Sequence, residues 1–353
     1  MVIAPPPPAS RVELAGERYL VVSLGSIGRR HIANLRCLRP TSQIAVLRTS
    51  LRDLEGVTLP EGATHQFCDI EQAVSFAPRA AIIASPSSMH LEIASALVSA
   101  GIAVLVEKPL ADTSAGLRNF VDFALQRRAV AVVGYNLRFL PSLGEARAML
   151  QAGAIGAVLS VRAEVGQYLP DWRPNTRYQE SVSAQKALGG GALLELSHEL
   201  DYLFWIFGLP DTVMAHGGRL STLELDVEDT VELCLEYSKP RRLVNVHLDF
   251  LQRVPHRSCR FIGAQGTLVW NALNDSIDVF TVATGKWEHL DFPMKDRNQL
   301  YLDELTEFLS LSDSKETRLP NLAEGYDVLA IVEAAKQSIA SKQVVKVQGY
   351  GHI

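Results

Sequence analysis

Over the first 134 residues, short and nearly continuous apolar runs alternate with segments of helical spacing. Strands are predicted at 19–24, 44–47, 80–84, 103–107 and 131–134, with helices at 27–38, 71–76, 88–100 and 113–127 between them. Fully apolar strands separated by helices indicate a doubly wound parallel sheet, α/β in class. Beyond residue 136 the pattern changes to a helix at 137–153, a strand at 154–165, a polar, aromatic-bearing loop at 169–186 and a helix at 192–207. Strand runs then follow one another at 212–218, 230–236, 243–250, 257–262, 266–270, 275–282 and 287–290, before closing helices at 298–311 and 322–341. Strands in succession without helices pair antiparallel, so the second part reads as an α+β domain on an open, mainly antiparallel sheet. The expected division is a proline-rich, disordered tail over 1–18, a nucleotide-binding domain over 19–135 and a substrate and oligomerisation domain over 136–353.

Composition narrows the class without changing that picture. The 353 residues are 47% hydrophobic and 21% charged, ordinary for globular domains. A net charge of −5 gives no basic field for nucleic acid or anionic lipid. No apolar run is long enough to span a bilayer, and the N-terminus, MVIAPPPPAS, lacks the pattern of a signal peptide. The four cysteines have no metal spacing. Cys37 and Cys234 fall in apolar patterns and read as small core residues of a reducing, cytoplasmic compartment.

In a doubly wound sheet, ligands bind beyond the carboxyl ends of the strands. The first strand ends in Ser23-Leu24-Gly25-Ser26-Ile27-Gly28 and runs straight into a helix. This is the dinucleotide turn G-x-G-x-x-G with Ser23 in place of the first glycine. Gly25 allows close approach of a pyrophosphate to the free N–H groups of Ser26 and Ile27, and Gly28 allows the helix to pack on the strand. After the second strand stand Arg48 and Thr49, with Ser50 and Arg52. The acid that would bind the ribose 2′-hydroxyl of NAD is absent there, so the cofactor is read as NADP or NAD with NADP favoured. Ser85 and Pro86 follow the next strand, with Ser87 or Ser88 as a helix cap. His90 either faces the cofactor or is a structural histidine. Glu107 and Lys108 close the following strand, ahead of Pro109. Lys108 is the residue placed best to exchange the proton of a reacting hydroxyl, and a cis bond to Pro109 would direct its amine.

The glycine turn, the run Glu107-Lys108-Pro109-Leu110 and the run Gly134-Tyr135-Asn136-Leu137-Arg138-Phe139 together resemble the Gfo/Idh/MocA oxidoreductases, relatives of glucose–fructose oxidoreductase and inositol dehydrogenase. The resemblance covers nearly the whole chain after the proline tail. It implies a Rossmann domain followed by an α+β domain and NAD(P)-dependent hydride transfer at a hydroxyl or carbonyl carbon of a sugar, cyclitol or nucleotide-sugar. It also implies a homodimer or homotetramer built on the open sheet. The helix opened by Gly189-Gly190-Gly191 carries Glu195 and His198, three apart and so on one face. His198 matches the family histidine, and Asp201 beyond it also fits. Glu195 stands where relatives have Asp four residues from the histidine, a departure in type and in spacing.

Lys108, His198 and Glu195 are therefore the catalytic candidates. Asn136 is a cofactor or substrate contact, and Arg138 is either another contact or a salt bridge between domains. In the polar loop, Tyr168, Trp172 and Arg173, with Arg177 and Tyr178, suit a charged sugar or else a neighbouring subunit. His216, His247, His256 and His289 have no paired spacing, and no metal is assigned. Two other functions use the same residues differently. An NAD-assisted glycoside hydrolase or lyase would oxidise its sugar only transiently and show no net cofactor reduction. A dinucleotide-binding sensor would need neither Lys108 nor His198.

Overall fold

The computed structural model describes residues 16–50, 54–173, 176–292, 296–311 and 317–351. Nearly all of the proline-rich stretch, and Arg52, lie outside them. Six parallel strands form the first sheet: β1 (Arg18–Val22), β2 (Gln43–Leu47), β3 (His65–Phe67), β4 (Ala80–Ile83), β5 (Ala103–Glu107) and β6 (Ala131–Gly134). Their order is β3-β2-β1-β4-β5-β6, which reverses direction between β1 and β4. That reversal opens a crevice at the carboxyl ends of the strands. The helices are α1 (Ser26–Leu38), α2 (Ile70–Ser75), α3 (His90–Ser99) and α4 (Leu117–Gln126). The parallel-sheet pattern was legible because Leu20, Val21 and Val22 of β1 are wholly buried, as are Val104, Leu105 and Val106 of β5. β3 was not predicted. It is a three-residue edge strand, half-buried, with no apolar run. α4 starts at Leu117 rather than 113 because Gly116, at φ 73°, ends the preceding turn.

The remaining chain runs through α5 (Pro141–Gln151), β7 (Val158–Gly166), α6 (Ala192–Glu195) and α7 (His198–Phe207). Strands β8 (Thr212–Gly218), β9 (Thr230–Ser238), β10 (Arg241–Asp249), β11 (His256–Gly263), β12 (Gly266–Asn271), β13 (Ser276–Thr281) and β14 (Lys286–Asp291) follow. Helices α8 (Asn298–Leu309) and α9 (Leu322–Ser341) and the short β15 (Val345–Lys346) end the described chain. The second sheet has nine strands in the order β14-β13-β12-β11-β7-β10-β9-β8-β15. Every neighbour pair is antiparallel except β7 with β10. None of the described helices is long and apolar enough to cross a membrane.

Several boundaries differ from the pattern reading for local reasons. The helix expected from 137 is a 3₁₀ turn, Asn136–Phe139, followed by α5, because Pro141 cannot continue a helix and instead starts one. The strand expected at 154 begins at Val158, after glycines 153 and 156 at positive φ. The polar loop is folded into short 3₁₀ turns, Leu169–Asp171, Tyr178–Glu180, Val182–Ala184 and Lys186–Leu188. Cys37 is exposed and Cys234 half-buried, so neither is a core residue; Cys259 is the buried cysteine. α9, read as part of the second domain, also closes the first. Its capping Asn321 bridges to Val132 of β6, and Gly325 leaves room for Val133.

Arg138 sits in the 3₁₀ turn after β6 and forks onto Asp201 of α7, with both side chains buried. Its Nη2 donates to Oδ1 at 2.7 Å and its Nε to Oδ2 at 3.1 Å. Burial pushes the Asp201 carboxyl up to about 6, and Arg138 keeps it an anion at neutral pH. Arg138 is thus a buried ion pair that also reaches Glu324 at the start of α9. Arg138→Met leaves a buried carboxylate without its partner and should cost about 3–5 kcal/mol in urea unfolding. A loss below about 1 kcal/mol contradicts this account.

Candidate functional site

The Gly25 backbone starts α1 without a side-chain cap, and the first turn carries no acid. The N–H groups of Ser26, Ile27 and Gly28 thus have no partner within the helix, and the positive end of its dipole faces outward. Ser23 holds φ 76°, the left-handed conformation that glycine supplies in the standard fingerprint, while its N–H donates to Leu47 O at 2.8 Å. A Cβ on Gly28 would stand 2.3 Å from Ser23 O, so glycine is required there. Nothing lies within 4 Å of the corresponding position on Gly25, which leaves the approach open. Together these features fit a pyrophosphate.

Ser23, Gly25, Ser26 and Ile27 line one cleft of about 640 Å³ with Ser85, Pro86, Glu107, Lys108 and Asn136. The other wall comes from the second sheet and its loops and includes Trp172, Arg173, Glu195, His198 and Arg257. Most of the residues singled out from the sequence therefore meet in one place. Arg48 and Thr49 stand outside the cleft lining, half-buried at the end of β2 beside Leu47, whose carbonyl anchors Ser23. Tyr168 is also outside the lining. Its ring lies under the Arg253 guanidinium, 3.5 Å from centroid to Cζ. Tyr178 lines a separate small hollow, and Arg177 pairs with Glu180 on the surface.

His90 does not face the cleft. Its ring is buried, with Nδ1 2.9 Å from Pro109 O and Nε2 2.8 Å from Ser85 O. It staples the two strand-end loops from behind. Neither Ser87 nor Ser88 caps α3; the Ser87 hydroxyl instead reaches Gly189 O at 3.4 Å across the cleft floor. Each of the three glycines is crowded by a different neighbour, and a Cβ on Gly190 would fall 2.3 Å from Val182 O. A Cβ on Gly189 would fall 2.0 Å from Ser87 Oγ, and one on Gly191 would fall 2.5 Å from Glu228 Oε1.

Lys108, half-buried at the end of β5, donates from Nζ to the backbone carbonyl of Glu195 at 2.9 Å, and its bond to Pro109 is cis. The side chain of Glu195 turns the other way and accepts from Ser183 Oγ at 2.9 Å. The single helix expected over 192–207 is broken at Leu196 and Ser197. Glu195 therefore ends α6 while His198 begins α7, and the two do not share a helix face. Both still reach the cleft. His198 stacks edge-on against Tyr135, ring centroids 5.5 Å apart, with Nδ1 buried and unpartnered among the described residues. Burial, then the charges of Lys108 and Arg257, hold its pKa well below that of a free histidine, so the ring is neutral at physiological pH. Arg257 pairs with the buried Glu199 at 2.9 Å.

Arg257, Arg297 and Tyr301 line the cleft but carried no signal in the sequence, since they lie singly in a strand and at a helix start. His31 and Glu304 were missed for the same reason. They meet Glu107 only through the fold, and the donor atoms of the three lie within 4.8 Å of one another.

Residues 17–135 match a family model described as an oxidoreductase family with an NAD-binding Rossmann fold, and residues 143–269 match one described as a GFO/IDH/MocA C-terminal domain. The chain belongs to the GFO/IDH/MocA oxidoreductases. Among curated members of the family, a levoglucosan dehydrogenase of Pseudarthrobacter phenanthrenivorans is 36% identical over 132 residues, 36% of this chain and 32% of that protein. Trans-1,2-dihydrobenzene-1,2-diol dehydrogenase of Bos taurus is 29% identical over 78% of this chain and 80% of its own. Inositol 2-dehydrogenase 2 of Saccharopolyspora erythraea is 28% identical over 76% of each. The fold matches a levoglucosan dehydrogenase in complex with NADH and L-sorbose at a TM-score of 0.82, with 19% identity over 95% of this chain and all of that one. GFO/IDH/MocA membership makes this an oxidoreductase of an NAD-binding family whose named relatives include levoglucosan, inositol and dihydrobenzenediol dehydrogenases.

A neutral His198 has a direct spectroscopic consequence. At pH 6 an ordinary histidine is about three-quarters protonated. The His198 ring nitrogens should still give the NMR shifts of a neutral imidazole at that pH. An imidazolium spectrum at pH 6 contradicts the electrostatics described above.

Proposed function

We propose that this protein transfers a hydride between a nicotinamide dinucleotide and a hydroxyl or carbonyl carbon of a sugar-like substrate. The observation that carries this reading is the meeting, in one cleft, of a phosphate-cradling turn with the amine of Lys108 and the neutral ring of His198. The dinucleotide supplies the hydride acceptor or donor. Lys108 is the proton-exchange group and, as an ammonium, polarises a carbonyl. The Glu195 carbonyl aims its amine across the cleft. His198, uncharged, holds a substrate hydroxyl by donating or accepting one hydrogen bond. Trp172 and Arg173 supply a flat apolar face and a charge at the substrate end. Glu195 acts through its main chain, and its carboxyl is a support for Ser183.

NADP is the preferred dinucleotide in this reading. β2 ends in Arg48-Thr49-Ser50, with no acid to meet a ribose 2′-hydroxyl and a guanidinium to meet a 2′-phosphate. The protein is read as a cytoplasmic homodimer or homotetramer joined through the outer face of the nine-stranded sheet. Support for that face comes from half-exposed Met214, Cys234 and Val269 on β8, β9 and β12. The domain division at 135 and 136 follows the change from the parallel to the mixed sheet.

Titration of the protein with NADPH and NADH, followed by nicotinamide fluorescence, tests the reading together with Lys108→Ala. NADPH should bind at least about tenfold tighter than NADH, the worth of one charge-assisted hydrogen bond. The variant should bind NADPH nearly as the wild type does and lose about 10²–10⁴-fold in turnover on a panel of sugars, sugar acids and cyclitols. No fluorescence change with either dinucleotide overturns the assignment, and full turnover of the variant removes Lys108 from the mechanism. Tighter binding of NADH overturns the choice of NADP alone.

A further inference from the structure

Behind the cleft wall, α8 of the C-terminal domain docks on α1 through residues spaced three apart. Asn298 exchanges side-chain hydrogen bonds with Asn34 at 2.8 and 3.3 Å, and Tyr301 lies under the Arg30 guanidinium with His31 edge-on to its ring. Glu304, one turn further, has no exposed surface. Both of its carboxyl oxygens are buried and lack a hydrogen-bond partner among the described residues. Glu107 stands beside it. A Cβ on Gly134 would touch Glu107 Oε2 and Glu304 Oε1 at 3.5 Å each. His31 Nε2 sits 2.6 Å from Glu107 Oε1, while its Nδ1 is buried without a partner. The His31 ring thus turns Nε2 to Glu107 and makes no hydrogen bond to Glu304. Two ionised carboxylates side by side, one of them wholly buried and without a hydrogen-bond partner among the described residues, would be a heavily penalised arrangement.

We propose that Glu304 is a positioning residue held as a neutral carboxylic acid, which leaves Glu107 as the single anion of this pocket, fixed by His31 at the cleft wall next to Lys108. The proposal rests on the functional reading above only in taking the cleft that Glu107 lines as the reaction site, and on geometry alone for the state of Glu304. Burial, then the charge of Glu107, raises the Glu304 carboxyl well above the usual carboxylate range. The groups that face the pocket are His31 and Arg30 from α1, Glu107 from β5, Tyr301 from α8 itself and Asn136 beyond β6. Arg30 is directed at the Tyr301 ring, and among the described residues no lysine or arginine pairs with either oxygen of Glu304. A divalent cation is the other way to neutralise such a cluster. Ligands around one tetrahedral ion stand about 3.3 Å apart, whereas His31 and Glu107 are at hydrogen-bond distance.

Glu304→Gln replaces a neutral acid with its neutral isostere and tests the proposal. Infrared difference spectra of the full-length protein at pH 7.5 should show a protonated-carboxyl C=O band in the wild type that the variant lacks. A buried acid with a raised pKa keeps its proton while the unfolded chain releases it, so the contribution of Glu304 to stability falls as pH rises above about 4.5. The melting temperature of the variant should therefore gain on that of the wild type between pH 5 and 8. NADPH affinity and turnover should stay within twofold of wild type. Absence of the band, a melting gap flat with pH, or a stoichiometric metal in the wild type that the variant loses each overturns the proposal. The band and the melting gap are independent of catalysis, so they separate this proposal from the functional reading: if they appear while neither dinucleotide binds, only that reading fails.

Discussion

The Lys108 amine donates its hydrogen bond to a backbone carbonyl, Glu195 O, that belongs to the other half of the molecule. A carbonyl is a fixed dipole whose direction depends on how α6 ends, and α6 ends where it does because Leu196 and Ser197 leave the helix. The broken helix that upsets a simple spacing argument is thus what turns one carbonyl back toward β5. Among the described residues the Lys108 amine bonds to this carbonyl and to no carboxylate, which leaves it able to meet a substrate oxygen in the cleft. His198, at the start of the next helix, stays uncharged because it is buried and because the charges nearest it, Lys108 and Arg257, are positive.

Around this front layer, buried groups fix the residues that meet the substrate. His90 ties Pro109 O to Ser85 O, His31 holds Glu107, and Ser87 meets the glycine loop that starts α6. Each joins two loops that are distant in sequence, and each is buried. Small movements there would displace the amine of Lys108 relative to the glycine turn, which is how residues with no contact to the reacting atoms affect rate. The glycines at 189 and 191 belong to the same layer, since the space a side chain would need is taken by Ser87 and Glu228.

Much of the fold was legible in the sequence because its strands are buried on both faces and its turns carry glycine or proline. β5, β6 and α9 fall where the pattern put them. The strand-end residues Ser23, Glu107 and Lys108 were legible because a doubly wound sheet brings the carboxyl ends of its strands to one crevice. What stayed hidden depends on tertiary contacts. His90 stayed open between a cofactor contact and a structural histidine because nothing local tells that Pro109 and Ser85 present carbonyls to both of its nitrogens. Tyr168 looked like a substrate face, but Arg253, 85 positions away, covers it. Glu304 reads as one more acid on an amphipathic helix until α8 is set against α1.

The central claim is that one dinucleotide spans this cleft, from the N–H groups at the start of α1 to the wall formed by Lys108 and His198. A crystal structure of the protein grown with NADPH tests it most directly. The account predicts density for the pyrophosphate on the Ser26 and Ile27 backbone, with the nicotinamide ring in the space between Glu107, Lys108 and His198. Density for the dinucleotide elsewhere, or an empty cleft at saturating NADPH, would contradict it.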